Sequence, residues 1–208
     1  MTSPIEESRK PDYLCRIVTC GEPSVGKTAI LKRMLKGTFN QNEPPTIGSE
    51  YLHLDMLSQD KNVELQIWDT AGEERFRSLV PLYFRNSTGA LLVFDQTSRH
   101  SFEQLDAWVD LYQQTNGDDA LFFVVANKCD LTDSEMDQIK EEAYLWANHR
   151  GYPIYETSAK TGEGIDGLMS DISRRFIEKM ENISKKVKRR NVGKDLELKS
   201  SNDSNCAC

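Results

Sequence analysis

The chain has 208 residues, of which 38% are hydrophobic and 28% charged, and its formal net charge is −7. This length fits one domain with short tails, and the composition is ordinary for a soluble globular protein. The negative charge argues against nucleic acid as the main partner, and no apolar run approaches the ~20 residues that cross a bilayer.

The N-terminal segment, residues 1–12, is polar and carries two prolines. It has no apolar stretch like that of a secretory signal, so we expect a disordered N-terminus and a cytosolic protein. The five cysteines are an odd number without a disulfide framework spacing. Three of them lie in or beside apolar runs and are expected to be reduced core or near-core residues: Cys15, Cys20 and Cys129.

Strands and helices are predicted to alternate along the chain. A buried strand over 13–20 precedes a glycine-bounded loop and a helix over about 27–36, and a loop is expected over 37–48. Period-two alternation predicts a hairpin of strands over 51–57 and 63–68. Further strands are predicted over 90–94, 121–126 and 154–155, with helices over 101–114, 134–149 and 164 to about 183. This order indicates an α/β fold with a six-stranded, mostly parallel sheet, one antiparallel edge strand and helices on both faces.

The apolar period fades from about Lys185. A basic run over 185–190 then gives way to a tail rich in Ser, Asn and Asp, which is typical of a disordered extension. The predicted organisation is therefore a disordered N-terminus over 1–12, one domain over 13–183 and a flexible tail over 184–208.

A complete phosphate-loop pattern follows the first strand. Residues 21–28 read G-E-P-S-V-G-K-T and precede a helix, which is the context that this pattern requires. Backbone N–H groups in such a loop point at phosphate, and the helix N-terminus favours the same negative charge. The lysine supplies a positive charge to the β- and γ-phosphates, and the threonine hydroxyl is offered to Mg²⁺. The residues expected to bind phosphate are Gly21, Glu22, Pro23, Ser24, Val25, Gly26, Lys27, Thr28 and Ala29.

A second motif, N-K-C-D at 127–130, follows the strand over 121–126 and resembles the N-K-x-D element with which Ras-like GTPases bind guanine. The carboxylate of Asp130 can accept hydrogen bonds from both N1–H and the exocyclic amine of guanine. Adenine would present lone pairs to the same carboxylate, so this residue type selects guanine. Asn127 is expected to tie neighbouring loops together, and the stem of Lys128 to pack along the base and ribose.

Residues 68–76 read W-D-T-A-G-E-E-R-F. This run, the phosphate loop, N-K-C-D and a later S-A-K at 158–160 occur in the order found in Rab GTPases, a branch of the Ras-like superfamily, and closely resemble that family. The resemblance covers roughly residues 13–180 and the C-terminal end. It implies a P-loop NTPase G domain that binds GTP or GDP with Mg²⁺. A P-loop kinase, the other class considered, would need an acceptor site and a lid and has no use for N-K-C-D.

The resemblance also assigns roles around the base. The backbone N–H of Ala159 would reach guanine O6, Lys160 would cover the base, and Ser158 belongs to the same element. Phe39, seven residues before Thr46, lies where the family places an aromatic ring against guanine.

Around the γ-phosphate, the resemblance assigns Mg²⁺ to Thr28, Thr46 and Asp69. The backbone N–H groups of Thr46 and Gly72 would contact the γ-phosphate. Loss of that phosphate would release the loop that carries Thr46 and the loop that carries Gly72, which is an order–disorder switch.

The resemblance extends to surfaces that meet partners. Tyr51, Trp68 and Tyr83 occupy the positions of an aromatic triad that reads the switch state to effectors, although they can equally just cover the hairpin and a helix. An exchange factor, a GTPase-activating protein and a prenyl-binding chaperone are also implied, for a monomeric switch in vesicular trafficking.

The chain ends in Cys206-Ala207-Cys208, which resembles the Rab signal for double geranylgeranylation rather than a C-a-a-X box. Two lipid chains suffice for stable anchoring, here to the cytosolic face of an intracellular membrane. The alternative is a pair of exposed thiols.

Two residues depart from the family pattern. The first is Glu73, which stands where the family carries the Gln that orients the attacking water. The resemblance makes three residues the catalytic candidates: Lys27, Thr46 and Glu73. An ionised carboxylate only accepts hydrogen bonds and repels phosphate, which favours slow hydrolysis. A raised pKa would instead let Glu73 donate as Gln does, and a partner could supply the catalytic group. The second departure is Pro23, which stands where the family carries a small residue.

A GTP-locked binding module with negligible catalysis is the second hypothesis for the function of this chain.

Overall fold

The computed structural model describes the backbone of residues 10–47, 49–70 and 79–202, with side chains up to residue 186. Within these ranges, six strands form one sheet in the order β2-β3-β1-β4-β5-β6. The strands are β1 Tyr13–Cys20, β2 Ser49–Ser58, β3 Lys61–Thr70, β4 Gly89–Asp95, β5 Leu121–Asn127 and β6 Ile154–Thr157.

The pairing matches the expected sheet. β1 lies between β3 and β4 and is parallel to both, and β4, β5 and β6 continue in parallel. β2 runs antiparallel to β3 at the edge, from Ser49 opposite Thr70 to Ser58 opposite Lys61. The prediction of a six-stranded, mostly parallel sheet with one antiparallel edge strand is confirmed.

The helices are α1 Lys27–Lys36, α2 Val80–Phe84, α3 Arg99–Glu103, α4 Leu105–Asn116, α5 Met136–Arg150 and α6 Ile165–Asn202. The single helix expected over 101–114 is interrupted at Gln104, which ends α3 and caps α4. The short α2, with a proline in its first turn, was not predicted.

α6 extends well past Ile183, where the fading apolar period predicts its end. That predicted boundary is wrong because residues beyond it include many Lys, Arg, Glu and Leu, which favour helix without needing an apolar face. The division into domain and tail stays a prediction, and residues 203–208 lie outside the described part.

Both faces of the sheet are covered, which gives the parallel strands their continuous apolar runs. On one face, α1 and α6 contribute Ile30, Leu168 and Phe176 to a core with Ile17, Leu65 and Phe123. On the other, Val18, Phe94 and Val124 pack with Trp108, Tyr112 and Ala143 from α4 and α5. The carboxyl ends of the parallel strands therefore meet at one rim, where ligands bind in open α/β sheets.

None of the helices among the described residues is both long and apolar enough to cross a membrane.

Candidate functional site

A cleft of about 480 Å³ opens at the carboxyl ends of the parallel strands. Most residues predicted to bind nucleotide line it: Pro23, Ser24, Gly26, Lys27, Thr28, Ala29, Phe39, Thr46, Asn127, Lys128, Asp130, Ala159 and Lys160. It also takes in residues that were not predicted, namely Asn40, Gln41, Glu43, Pro44, Pro45, Thr70 and Leu131. Segments far apart in sequence thus meet around one space.

The phosphate end of the cleft is built around a buried lysine. Lys27 Nζ donates to the carbonyl oxygens of Gly21 and Glu22, both at 2.9 Å. Burial lowers the pKa of Lys27 to about 8, although Asp69 is the strongest of several charges that oppose this. Two neutral carbonyls compensate a buried ammonium only in part, so an anion that binds here raises the pKa of Lys27 and stabilises its charge.

Close packing explains the glycine at the end of this loop. Gly26 has φ of +100°, and a Cβ there would lie 2.3 Å from Asn127 Nδ2. A side chain at position 26 would therefore push the phosphate loop away from the end of β5, where N-K-C-D begins.

The three residues assigned to Mg²⁺ come together beside the lysine. Thr28 Oγ1 donates to Asp69 Oδ2 at 2.6 Å, and it lies 2.7 Å from Thr46 Oγ1. Asp69 is fully buried, and burial raises its pKa against the hydrogen bonds from Thr28 and Thr19 and the charge of Lys27. Two hydroxyls and a carboxylate are the hard oxygen ligands that Mg²⁺ prefers, so these residues fit that ion.

The other end of the cleft holds an ionised acceptor. Ser158 Oγ donates to Asp130 Oδ1 at 2.6 Å, and Lys160 Nζ lies 3.5 Å from Asp130 Oδ2. The hydrogen bond from Ser158 is the largest influence and holds the pKa of Asp130 below its ordinary value. Lys128 Nζ donates to Asp95 Oδ2 at 2.7 Å, which fixes its stem along the cleft. An ionised carboxylate held in this way can accept two hydrogen bonds from guanine.

Asn127 connects the two ends. Its Nδ2 donates to the Val25 carbonyl at 2.8 Å, and its Oδ1 accepts from Thr157 Oγ1 and from the Ala159 N–H, both at 3.2 Å. The Ala159 N–H, which the resemblance assigns to guanine O6, is therefore directed at Asn127 in this structure. One buried amide thus joins the phosphate loop to the S-A-K loop.

A model of the Ras family matches residues 16–178 of this chain. "Ras-related protein Rab-4" of Dictyostelium discoideum is 35% identical over 206 residues, which covers 96% of this chain and 99% of that protein. The chain belongs to the Rab family of small GTPases. In this Rab-family chain, residues of the phosphate loop and of N-K-C-D line one cleft, and Asp69 accepts a hydrogen bond from Thr28 in its wall.

Two side chains contact the site of this Rab GTPase without any motif to announce them. Arg33 on α1 donates to the carbonyls of Ala159 at 2.8 Å, Lys160 at 2.5 Å and Gly37 at 2.6 Å. In the sequence it resembles any basic residue near a helix end. Thr19 donates to Asp69, and its only signal is a polar residue within an apolar strand.

The candidate effector aromatics form a continuous stack beside the hairpin. The ring of Trp68 lies 5.2 Å from that of Tyr51 and 5.5 Å from that of Tyr83, measured between centroids. Tyr51 is 45% exposed. Gly72 and Glu73 lie in 71–78, and Cys206 and Cys208 lie in 203–208. Both ranges are outside the residues that the structure describes.

Proposed function

We propose that this protein is a Rab-type molecular switch that binds GTP and GDP with Mg²⁺ and acts in vesicular trafficking. The observation that carries the proposal is a single cleft with a buried ammonium at one end and an ionised, guanine-directed carboxylate at the other. Kinship to "Ras-related protein Rab-4" supports the trafficking role. Mg²⁺, when bound, neutralises phosphate charge.

Thr46 supplies the first switch contact. Its hydroxyl reaches Thr28, and it lines the cleft together with Pro44 and Pro45, while its neighbour Ile47 is 81% exposed. An ion pair of 2.5 Å between Lys32 and Glu43 holds the earlier part of the segment to α1. Loss of the γ-phosphate removes the ligand for Thr46 and releases this end of the loop.

Release of the loop changes the surface next to the Tyr51–Trp68–Tyr83 stack. Exposed aromatic and apolar side chains there suit an effector that binds the GTP form, since rigid aromatics are good interface anchors. Tyr51→Ala weakens such an effector and leaves GDP affinity unchanged, because Tyr51 lies outside the cleft. Equal capture of effector by wild type and Tyr51→Ala would contradict this role.

Glu73 makes intrinsic hydrolysis slow. A carboxylate beside the γ-phosphate accepts but does not donate, and it adds negative charge where negative charge already accumulates. Single-turnover hydrolysis by Glu73→Gln is expected to be faster than by wild type. Glu141→Gln, on the exposed face of α5, is the matched control and leaves the rate unchanged. Equal rates for wild type and the Glu73→Gln variant would refute this account.

A GTP-locked binding module with negligible catalysis is the second candidate, and Glu73 in place of Gln is the observation that favours it. The two candidates differ in turnover. A wild-type protein that still holds intact GTP after the Glu73→Gln variant has hydrolysed all of its own supports the locked module. Slow but complete hydrolysis by wild type supports the cycling switch.

Membrane attachment is assigned to prenylation of Cys206 and Cys208, which would place the protein on the cytosolic face of an intracellular membrane. Mass spectrometry of protein from its native cells is expected to show two prenyl groups on this terminus. An unmodified terminus would exclude lipid anchoring.

A further inference from the structure

Thr19 is a buried polar residue in the otherwise apolar second half of β1. It is 1% exposed, between Val18 and Cys20, which are fully buried. Its hydroxyl donates to Asp69 Oδ1 at 3.1 Å and accepts the backbone N–H of Thr70 at 3.0 Å. Both of its hydrogen-bonding functions are therefore used by neighbouring residues of β3.

The bonds between Thr19 and Thr70 are reciprocal. Thr70 Oγ1 donates to the Thr19 carbonyl at 2.7 Å, while Thr19 Oγ1 accepts from the Thr70 backbone. The backbone register of β1 and β3 ends at Val18 opposite Trp68. The two threonines thus continue the pairing with side chains past the last backbone pair, and Asp69 lies within this extension.

The carboxylate of Asp69 is consequently held on both oxygens. Thr28 donates to Oδ2 and Thr19 donates to Oδ1, so the plane of the carboxylate is fixed. An ion bound by Thr28 takes a lone pair of its hydroxyl oxygen, and the proton of that hydroxyl stays available to Asp69 Oδ2. The bond from Thr19 is made to the other carboxylate oxygen, Oδ1, and can also persist when an ion is bound.

We infer that Thr19 is a positioning residue for Mg²⁺, acting through Asp69. This inference rests on the proposed function, since it assumes that Mg²⁺ and a guanine nucleotide occupy the cleft. Outer partners of metal-directed carboxylates orient them, and their loss typically weakens metal binding by about 10- to 100-fold. Thr19 is thereby assigned to metal affinity rather than to nucleotide affinity as such.

The test is the release of fluorescent GDP, measured over a range of free Mg²⁺ concentrations. Thr19→Val keeps the shape of the side chain and removes the hydroxyl. In Thr19→Val, the Mg²⁺ concentration that slows GDP release half-maximally is expected to be about tenfold higher than in wild type, at the lower end of the 10- to 100-fold loss given above. The release rate in EDTA is expected to stay within about twofold of wild type, because Thr19 acts on the nucleotide site through the metal-directed Asp69.

Two further variants separate this role from a structural one. Thr19→Ser restores the hydroxyl and is expected to restore the wild-type response to Mg²⁺. Thr115→Val makes the same change in α4, where the hydroxyl donates to the Leu111 carbonyl, and leaves the response unaltered. If Thr19→Val does not fold, Thr19→Cys replaces it, since a thiol is a weak donor.

The inference is overturned if the half-maximal Mg²⁺ concentration of the variant without the hydroxyl is less than about threefold higher than that of wild type. Acceleration in EDTA as large as that in Mg²⁺ also overturns it, because the defect then lies in nucleotide binding. If wild type retains no GDP at any Mg²⁺ concentration, the proposed function itself fails. If wild type responds to Mg²⁺ and Thr19→Val responds identically, only the inference about Thr19 fails.

Discussion

Asn127→Ala tests the connection between the two ends of the cleft. The side chain makes three hydrogen bonds in a site where it is 1% exposed. Truncation leaves the Val25 carbonyl and the Ala159 N–H without this partner. Each buried backbone group left unpaired costs about 1–3 kcal/mol.

A bound nucleotide contacts both the phosphate loop and the S-A-K loop, which Asn127 joins. Most of the free energy lost in Asn127→Ala is therefore expected to appear as weaker nucleotide binding. A loss of about 2–4 kcal/mol corresponds to GDP affinity that is weaker by about 30- to 1,000-fold. Titration of nucleotide-free protein with fluorescent GDP measures the change.

A matched asparagine is the control for this substitution. Asn116 on α4 donates to the Phe84 carbonyl at 2.6 Å and to Ser87 Oγ at 3.3 Å, away from the cleft. Asn116→Ala is expected to lower the free energy of unfolding while leaving GDP affinity within about twofold of wild type. Less than a fivefold loss of affinity in folded Asn127→Ala would refute the reasoning, because the loops would then hold their positions without Asn127.

Three further predictions concern single side chains. Arg33→Met removes the bonds to three loop carbonyls and is expected to speed GDP release about tenfold, measured by fluorescence. Ser158→Ala removes the donor to Asp130, which raises the pKa of that carboxyl and lowers GDP affinity about tenfold by titration. Burial opposes ionisation of Asp171, but bonds from Tyr155 and two arginines outweigh it and hold its pKa below the ordinary value. Asp171→Asn is therefore expected to cost about 1–3 kcal/mol of unfolding free energy at neutral pH.

Each of these has a contradicting outcome. Unchanged GDP release in Arg33→Met would show that α1 does not hold the S-A-K loop. Unchanged GDP affinity in Ser158→Ala would show that Asp130 binds guanine without the hydrogen bond from Ser158. A carboxyl whose pKa is lowered by folding stabilises the fold at pH values above its ordinary pKa. This stabilisation is lost as the pH falls through the lowered pKa. The difference between wild type and Asp171→Asn must therefore shrink below about pH 4, and a constant difference would exclude the ionic cause.

The sheet could be predicted because its strands differ in burial. The central strands β4 and β5 are apolar along almost their whole length, the hairpin strands alternate, and loops rich in Gly, Asn or Pro separate the strands. The break at Gln104 could not be predicted, since Phe102, Leu105 and Trp108 continue a helical spacing across it. α6 passes its expected end because helix propensity outlasts the apolar stripe.

The site divides in the same way. Motif residues such as Lys27, Thr28 and Asp130 are recognisable because their chemistry depends on local spacing. Arg33 and Thr19 act through partners 126 and 50 residues away, so only the fold brings them to the site. Their types, a helical arginine and a strand threonine, carry no signal of such contacts.

The central claim is that the cleft binds guanine nucleotide. Its most direct test is to denature purified protein, identify the released nucleotide, and then follow the fate of GTP loaded into fresh protein. The account predicts GDP or GTP in about one equivalent per chain, with loaded GTP converted slowly to GDP. Adenine nucleotide in its place, or protein that binds ATP as tightly as GTP, would contradict the guanine selection attributed to Asp130.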